Sequence, residues 1–312
     1  MLITELPIFI TYLQKTLPEC QHEMRRLFHG RGQMWAGLEQ ITADWIGEHL
    51  IITLFKPVDD VFLAELKQQL VSFSNSAEWL QASGKGIGLQ HRYEHGAPFE
   101  SVVGEVATEV VGIENGLKYQ LVLGKNQNMG IFLDMRNGRQ WVKERSHGKK
   151  VLNLFSYTCG FSVAAMAGGA ENVVNIDMAK GALSRGRDNH RLNEHDLSNV
   201  TFLGHDIFRS WGKITKFGPY DLIIIDPPSF QKGSFALTKD YKKILRRLPG
   251  LLTAGGEVLA CVNSPAVSPD FLTTSMAEEA PDLSFVERLA NPVEFADLDE
   301  QASLKALVFN LQ

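Results

Sequence analysis

The chain has 312 residues, a formal net charge of −5, 44% hydrophobic and 21% charged residues. That is the balance of a globular protein with room for one large domain or two ordinary ones. No apolar run approaches the roughly 20 residues of a membrane span, and the N-terminus lacks the basic-then-apolar layout of a secretion signal. The three cysteines, Cys20, Cys159 and Cys261, are too scattered for a disulfide framework or a zinc site, so a cytoplasmic location without a structural metal is expected.

In chain order, residues 1–30 read as helical, with Ile10, Leu13 and Leu17 at helical spacing, until Gly30-Arg31-Gly32 breaks the pattern. Ile41–Trp45 and Leu50–Phe55 around Gly47 predict a hairpin. Val61, Phe62, Leu66, Leu70 and Phe73 place one apolar side on a helix, and a Gly-rich link follows at 83–88. Residues 1–105 are thus expected to form a small α/β domain and a candidate substrate contact. Val110–Glu114 and Leu117–Leu123 flank Asn115-Gly116, the strongest short hairpin signal. A basic, helical segment leads from Asp134 to Gly148.

From Val151 the pattern alternates. Strands are expected at 151–155, 173–176, 200–203, 221–225 and 257–262. The helices expected between and after them are 162–167, 180–193, 239–252 and 269–277. Strands 285–289 and 304–311 close the chain with no helix between them. Continuous apolar strands alternating with helices imply a parallel sheet covered on both faces, ending in an antiparallel hairpin. Residues 106–312 are taken as one domain, with the 110–123 hairpin at its start.

In such sheets ligands bind beyond the carboxyl ends of the strands. The first strand runs into Ser156-Tyr157-Thr158-Cys159-Gly160. Gly160 permits a tight turn and close backbone approach ahead of a helix, though GxGxxG is absent, which disfavours a nicotinamide enzyme. Asp177 ends the second strand, suited either to ribose hydroxyls or to capping the next helix. Asp206, followed by Ile207 and Phe208, suits an adenine amine or a loop cap. Asp226-Pro227-Pro228-Ser229-Phe230 ends the fourth strand. Its two prolines fix the backbone and remove two donors, leaving carbonyls to receive a base edge while Phe230 offers a stacking face. Two basic stretches, 136–150 and 239–247 with Tyr241, read either as phosphate-steering surfaces or as solvated helix faces.

The segments 114–139, 151–170, 175–193 and 205–208, together with DPPSF and the C-terminal RLANPVEFADLDEQASLKALVFNL, resemble the class I S-adenosylmethionine (SAM)-dependent methyltransferases of the bacterial 23S rRNA large-subunit group, cytosine-C5 and guanine-N7 enzymes among them. RLFHGRG at 26–32 is similar to that group's preceding domain. The resemblance implies a Rossmann-like, doubly wound, mostly parallel seven-stranded sheet, SAM as cofactor and 23S-type rRNA as partner. It implies that Phe155, Ser156, Tyr157 and Gly160 line the methionine side. Asp177 would hold the ribose and Met178 the adenine, with Asp206 and Ile207 on the adenine edge. Asp134 and Arg136 would close the pocket, and Asp226 would lie by the methyl-donor end. Two departures matter. The chain is expected to lack the PUA module of the cytosine enzymes. Where those enzymes carry CxCS, this chain reads Cys261-Val-Asn263-Ser264. Asparagine cannot form the carbon-6 adduct that cytosine-C5 transfer needs. Cys261 lies two residues away, about 7 Å along a strand. Direct transfer to a base nitrogen is therefore expected, with Asp226, Pro227, Pro228, Phe230 and Asn263 at the reacting end. The alternatives are cytosine-C5 transfer by Cys261, and a SAM-binding RNA or assembly factor without catalysis.

Overall fold

A computed structural model describes residues 1–228 and 237–312. It divides into two compact units, Met1–Leu133 with Pro292–Leu298, and Asp134–Asn291 with Asp299–Gln312. The division falls near residue 133 rather than 105, and the Asn115-Gly116 hairpin belongs to the N-terminal unit.

The N-terminal unit is a five-stranded sheet in the order β1-β2-β3-β4-β5 with a separate two-stranded hairpin. Its strands are β1 (Arg25–His29), β2 (Ile41–Ile46), β3 (His49–Leu54), β4 (Gly86–His91) and β5 (Phe99–Gly104), and the hairpin is β6 (Glu109–Glu114) with β7 (Leu117–Val122). Helices α1 (Leu6–Thr16), α2 (Asp60–Phe73) and α3 (Ala77–Gln81) cover the sheet. Asp59 caps α2 by accepting from the Phe62 amide at 2.7 Å. Phe62, Leu66, Leu70 and Phe73 then pack with α1 and the β2–β4 side chains.

Two expectations are corrected here. Residues 1–30 are not one helix. The chain turns at Gln21, with φ 52°, and residues 25–29 pair antiparallel with β2, so sheet pairing overrides the helical spacing upstream. Residues 83–88 are not a link either, because Gly86 begins β4, which lies between β3 and β5. A Cβ at Gly88 would overlap the Phe99 ring. Glycine here marks close packing within a strand.

The second unit carries seven strands: β8 (Lys150–Leu154), β9 (Asn172–Ile176), β10 (Val200–Leu203), β11 (Tyr220–Ile225), β12 (Leu252–Val262), β13 (Leu283–Arg288) and β14 (Lys305–Leu311). Their order is β10-β9-β8-β11-β12-β14-β13. The first five pair parallel, and β14 pairs antiparallel with both β12 and β13. This is the expected seven-stranded sheet with its terminal hairpin. Helices α4 (Arg136–Arg145), α5 (Gly160–Ala167), α6 (Lys180–Leu192), α7 (Trp211–Phe217), α8 (Leu237–Leu245) and α9 (Asp270–Glu279) complete the unit. Side-chain alternation along β11 feeds two cores. Leu222 and Ile224 pack with Trp141 of α4 and Phe161 of α5, while Ile223 and Ile225 pack with Tyr241 and Ile244 of α8. Helix α8 is shorter than expected, because Leu252 already starts β12 and pairs with Tyr220.

Candidate active site

Strand register builds the site. Leu154 is level with Ile176 and Ile225, and Ile176 with Leu203. The residues that follow (Phe155, Asp177, Gly204 and Asp226) therefore stand along one edge of the sheet. Strand order reverses at β8, with β9 on one side and β11 on the other, which is where such sheets open a crevice for ligands.

The loop after β8 is held in an unusual shape. Phe155, Tyr157 and Cys159 all have left-handed backbones, with φ of 56°, 46° and 62°, a conformation that non-glycine residues rarely adopt. Its supports are specific. The Ser156 amide donates to the Ile176 carbonyl at 3.1 Å and the Cys159 amide to the Ser156 carbonyl at 2.7 Å. The Tyr157 amide donates to Asp177 Oδ2 at 2.9 Å. From α6, Asn189 Nδ2 donates to the Thr158 carbonyl at 3.0 Å. Gly186 lets α6 come close, since a Cβ there would overlap Cys159 Sγ.

Asp177 thus ties the loop to β9, and its other oxygen accepts from the Ala179 amide at 2.7 Å. Each carboxylate oxygen keeps a second lone pair for a hydroxyl donor. Met178 beside it is 51% exposed. Asp206 caps the turn after β10, accepting from the Phe208 amide at 2.8 Å, with Arg209 3.6 Å from its other oxygen. Ile207 is buried and packs with Leu154 and Ile176, so its side chain serves the core below the edge.

At the other end, Asp134, Arg139, Asp226 and Asn263 come together from three segments. Asn263 Nδ2 donates to Asp134 Oδ2 at 2.9 Å. The Asp226 carboxyl is pushed up to about 7, first by burial, then by the Asp134 carboxylate, with the Arg139 guanidinium opposing. Arg139 is a buried cation at 4% exposure, and a Cβ on Gly160 would meet only its Cδ, at 3.4 Å. Sequence reasoning missed Arg139 by counting it in a basic stretch. Its signal was position: Met135, Gly138, Arg139 and Val142 share one helical stripe, and a charge on an apolar stripe is informative. Arg136, at the start of α4, is half-buried. Pro227 is buried and Pro228 exposed, while Ser229 and Phe230 lie outside the described residues.

A second missed feature is a polar chain under the loop. Asn153 Nδ2 donates to Asn175 Oδ1 at 3.0 Å and Asn175 Nδ2 to Ser162 Oγ at 2.9 Å. Ser162 Oγ lies 2.8 Å from His190 Nε2, and His190 Nδ1 lies 3.0 Å from His195 Nδ1. With Ser162 donating onward, His190 carries its proton on Nδ1 and donates to a neutral His195. Burial, then His195, pushes His190 down to about 3. Asn153 and Asn175 were visible as polar residues inside apolar strands.

Cys261 is fully buried among Trp141, Phe161, Leu259 and Ala306, and burial raises its thiol well above the usual range. Tyr241 is also fully buried rather than on a substrate surface. Its hydroxyl donates to the carbonyls of Cys261 at 3.1 Å and, more weakly, of Ile225 at 3.4 Å, fixing the ends of β12 and β11. Much of the charge in the two basic stretches is already paired. Arg145 and Lys149 meet Glu257, and Arg145 also reaches Glu287. Lys242 meets Glu278, Lys243 meets Asp240, and Arg246 meets Glu279.

This sheet order, with a strained loop after its first strand and acidic residues at the following strand ends, defines a nucleotide-cofactor enzyme of the doubly wound class. Residues 25–310 match the family model of the S-adenosylmethionine-dependent methyltransferases, and the chain belongs to that family. A ribosomal RNA large subunit methyltransferase I from Aeromonas salmonicida (strain A449) is 37% identical over 184 residues, covering 57% of this chain and 46% of that protein. The chain thus spans about half the length of that relative. The provisionally named ribosomal RNA large subunit methyltransferase YwbD of Bacillus subtilis (strain 168) is 30% identical over 284 residues, 86% of this chain and 69% of that one. Among solved structures, SMU.776 in complex with SAH superposes with a TM-score of 0.83 at 25% identity, covering 98% of this chain and 82% of that one. The cofactor is SAM.

The site fits that cofactor. The Ser156 hydroxyl is buried with no hydrogen-bonded oxygen or nitrogen partner and has the Cys159 thiol beside it. A Cβ on Gly160 would touch only the flexible Arg139 side chain, and the Asp134 and Asp226 carboxylates stand with Arg139.

Proposed function

We propose that the chain methylates a base of ribosomal RNA in the cytoplasm, by direct transfer to a nitrogen without a covalent enzyme–base intermediate. The observation that carries this reading is the burial of Cys261 in the core with a raised thiol, while Asn263, bonded to Asp134, stands at the strand end. A nucleophilic cysteine needs a reachable thiolate, and this one has neither access nor a stabilised charge. The names of the relatives support RNA as substrate.

In this reading Phe155, Ser156, Tyr157 and Gly160 hold the methionine side, Asp177 the ribose and Met178 the adenine. Asp206 takes the adenine edge with Ile207 beneath it, and Asp134 and Arg136 close the pocket. When bound, SAM supplies an electrophilic methyl on a sulfonium. Asp226 and the Pro227 carbonyl orient a nitrogen lone pair toward it, with Pro228 stiffening the turn and Asn263 steadying the base edge; Phe230 is assigned the stacking face from sequence alone. Alignment matters more than acid–base help in such a transfer. With a pKa near 7, the Asp226 carboxylate can take the proton that the nitrogen sheds.

The test is transfer of labelled methyl from SAM to ribosomal RNA of a strain lacking this gene, against RNA of its parent. Label in the deletion-strain RNA alone, at a nitrogen by nucleoside digestion, is the expected result. A 5-methylcytosine product, or a covalent RNA adduct lost with Cys261→Ala, sinks the nitrogen reading. Absence of label with SAM binding intact sinks the RNA reading.

A further inference from the structure

The charge stretches visible in the sequence are partly paired in the fold, and a further cationic group is assembled in the N-terminal unit from residues far apart in sequence. β3 and β4 run parallel with Leu54 level with His91, so Phe55 and Arg92 emerge side by side. The Arg92 amide donates to the Leu54 carbonyl at 2.9 Å. The Arg92 guanidinium lies 5.4 Å from the Phe55 ring centroid, and that of Arg31 lies 4.3 Å from the same centroid. Arg26, from β1, adds a third guanidinium, engaged with Asp44 at 2.8 and 3.0 Å and with His29 Nδ1 at 2.8 Å.

The arrangement is fixed by backbone. A Cβ on Gly30 would overlap the Leu38 carbonyl oxygen, and one on Gly32 the Ala296 carbonyl oxygen. The two glycines of Gly30-Arg31-Gly32 are therefore forced by close chain approach, and they hold Arg31 on a short rigid turn. Arg31 is exposed and Arg92 half-buried. Arg92 reaches Asn128 Oδ1 at 3.4 Å, and Arg31 makes no ion pair among the described residues. Asp44, a carboxylate that acts on Arg92, already engages Arg26 through both oxygens. His29 contributes no charge, being pushed down to about 3 by burial, Arg26 and Arg31. Arg31 and Arg92 are both lowered, by partial desolvation of the guanidinium and then by neighbouring guanidiniums. Preorganised arginines left repelling one another are satisfied by a polyoxygen anion, whose geometry the guanidinium fork matches.

We infer that Arg31 and Arg92, gathered around Phe55 and backed by Arg26, form a phosphate-binding site that takes a backbone phosphate of the RNA substrate. The inference rests on the RNA reading above and gives the N-terminal unit its part in it. The same chemistry would accept free phosphate, so the test carries both ligands.

Binding of ribosomal RNA to the full chain is measured from 50 to 200 mM salt for the wild type and R31A/R92A. SAM affinity and thermal midpoint are recorded alongside. The expected variant keeps its SAM affinity, binds RNA about tenfold or more weakly, and has a salt slope shallower by about 0.7 per lost phosphate contact on a single strand. Wild-type RNA affinity and slope in the variant overturn the site and leave the RNA reading intact. If the wild type binds no RNA, that reading fails. Inorganic phosphate then decides the site: a rise in midpoint seen in the wild type and lost in R31A/R92A retains it, and no rise overturns it. Should the double variant fail to fold, R31A alone carries the same comparison, since Arg31 is exposed.

Discussion

The pH dependence of SAM binding tests the electrostatics of the cleft directly. Asp226 is raised from 3.8 to about 7, chiefly by burial and by Asp134. A carboxyl of that pKa is about 9% ionised at pH 6 and about 91% at pH 8. Placed beside Asp226 as in the proposed binding mode, the sulfonium of SAM favours the ionised form, whereas the thioether of SAH carries no charge there. SAM affinity is therefore expected to rise about tenfold relative to SAH between pH 6 and 8, equivalent to about 1.4 kcal/mol. The amino acid and nucleoside parts are common to both ligands, so the ratio of their affinities isolates the sulfonium. Titration calorimetry at pH 6, 7 and 8 reads the ratio, and buffers of different ionisation heat read the proton released. Asp226→Asn should flatten it. Asp134→Asn should shift the rise to lower pH by removing the charge that helps hold Asp226 protonated. A ratio independent of pH in the wild type, or unchanged in Asp226→Asn, would refute the reasoning.

Three further outcomes are expected. Cys261→Ala removes one buried sulfur, costs on the order of 1 kcal/mol of stability by denaturant melt, and leaves methyl transfer within about threefold of wild type; loss of turnover with folding intact would restore the cysteine mechanism. Gly186→Ala drives a methyl into Cys159, so it should cost about 1–3 kcal/mol and weaken SAM binding. Adding Cys159→Ala should recover part of both, and strict additivity would show that the two do not meet. His190 has a folded pKa of about 3 against 6.5 unfolded, so the unfolded state binds more protons between those values. Stability is full above pH 6.5 and falls as pH drops, by roughly 2 kcal/mol from pH 7 to 5 for this group. His190→Asn should lose that much less over the interval in urea melts, and an identical pH slope would dismiss the assignment.

The second unit was legible because its signals are local. Apolar runs of strand length ended at Asp177, Asp206 and Asp226, and the sheet register placed those ends in line. What stayed hidden depended on tertiary neighbours. Residues 25–29 became a strand because β2 pairs with them, and Gly86 and Gly88 became strand residues because β3 and β5 pair on either side, with Phe99 packed over Gly88. Charge misled for a related reason. Lysines and arginines close in sequence, as at 242–246, met acids from a neighbouring helix, Glu278 and Glu279. The cluster of Arg26, Arg31 and Arg92 draws on residues far apart in the chain, and no window of sequence shows it.

The loop after β8 shows how the fold holds a shape its residues disfavour. Three left-handed non-glycine residues cost roughly 1–2 kcal/mol each, about 3–6 kcal/mol together. Four hydrogen bonds hold the segment: the amides of Ser156, Tyr157 and Cys159 as donors, and Asn189 to the Thr158 carbonyl. At about 1 kcal/mol net each they return about 4 kcal/mol, which nearly offsets the strain. Two of the four come from outside the loop's own segment through side chains, Asp177 and Asn189. The loop is thus shaped by β9 and α6 as much as by its own residues, and the polar chain joins these same elements through Asn175 and His190. Asp177→Asn should therefore loosen the loop as well as weaken the proposed ribose contact. A variant that lost SAM affinity while the Tyr157 amide kept its hydrogen-exchange protection would separate the two roles, and would show that Asp177 acts on the ligand alone.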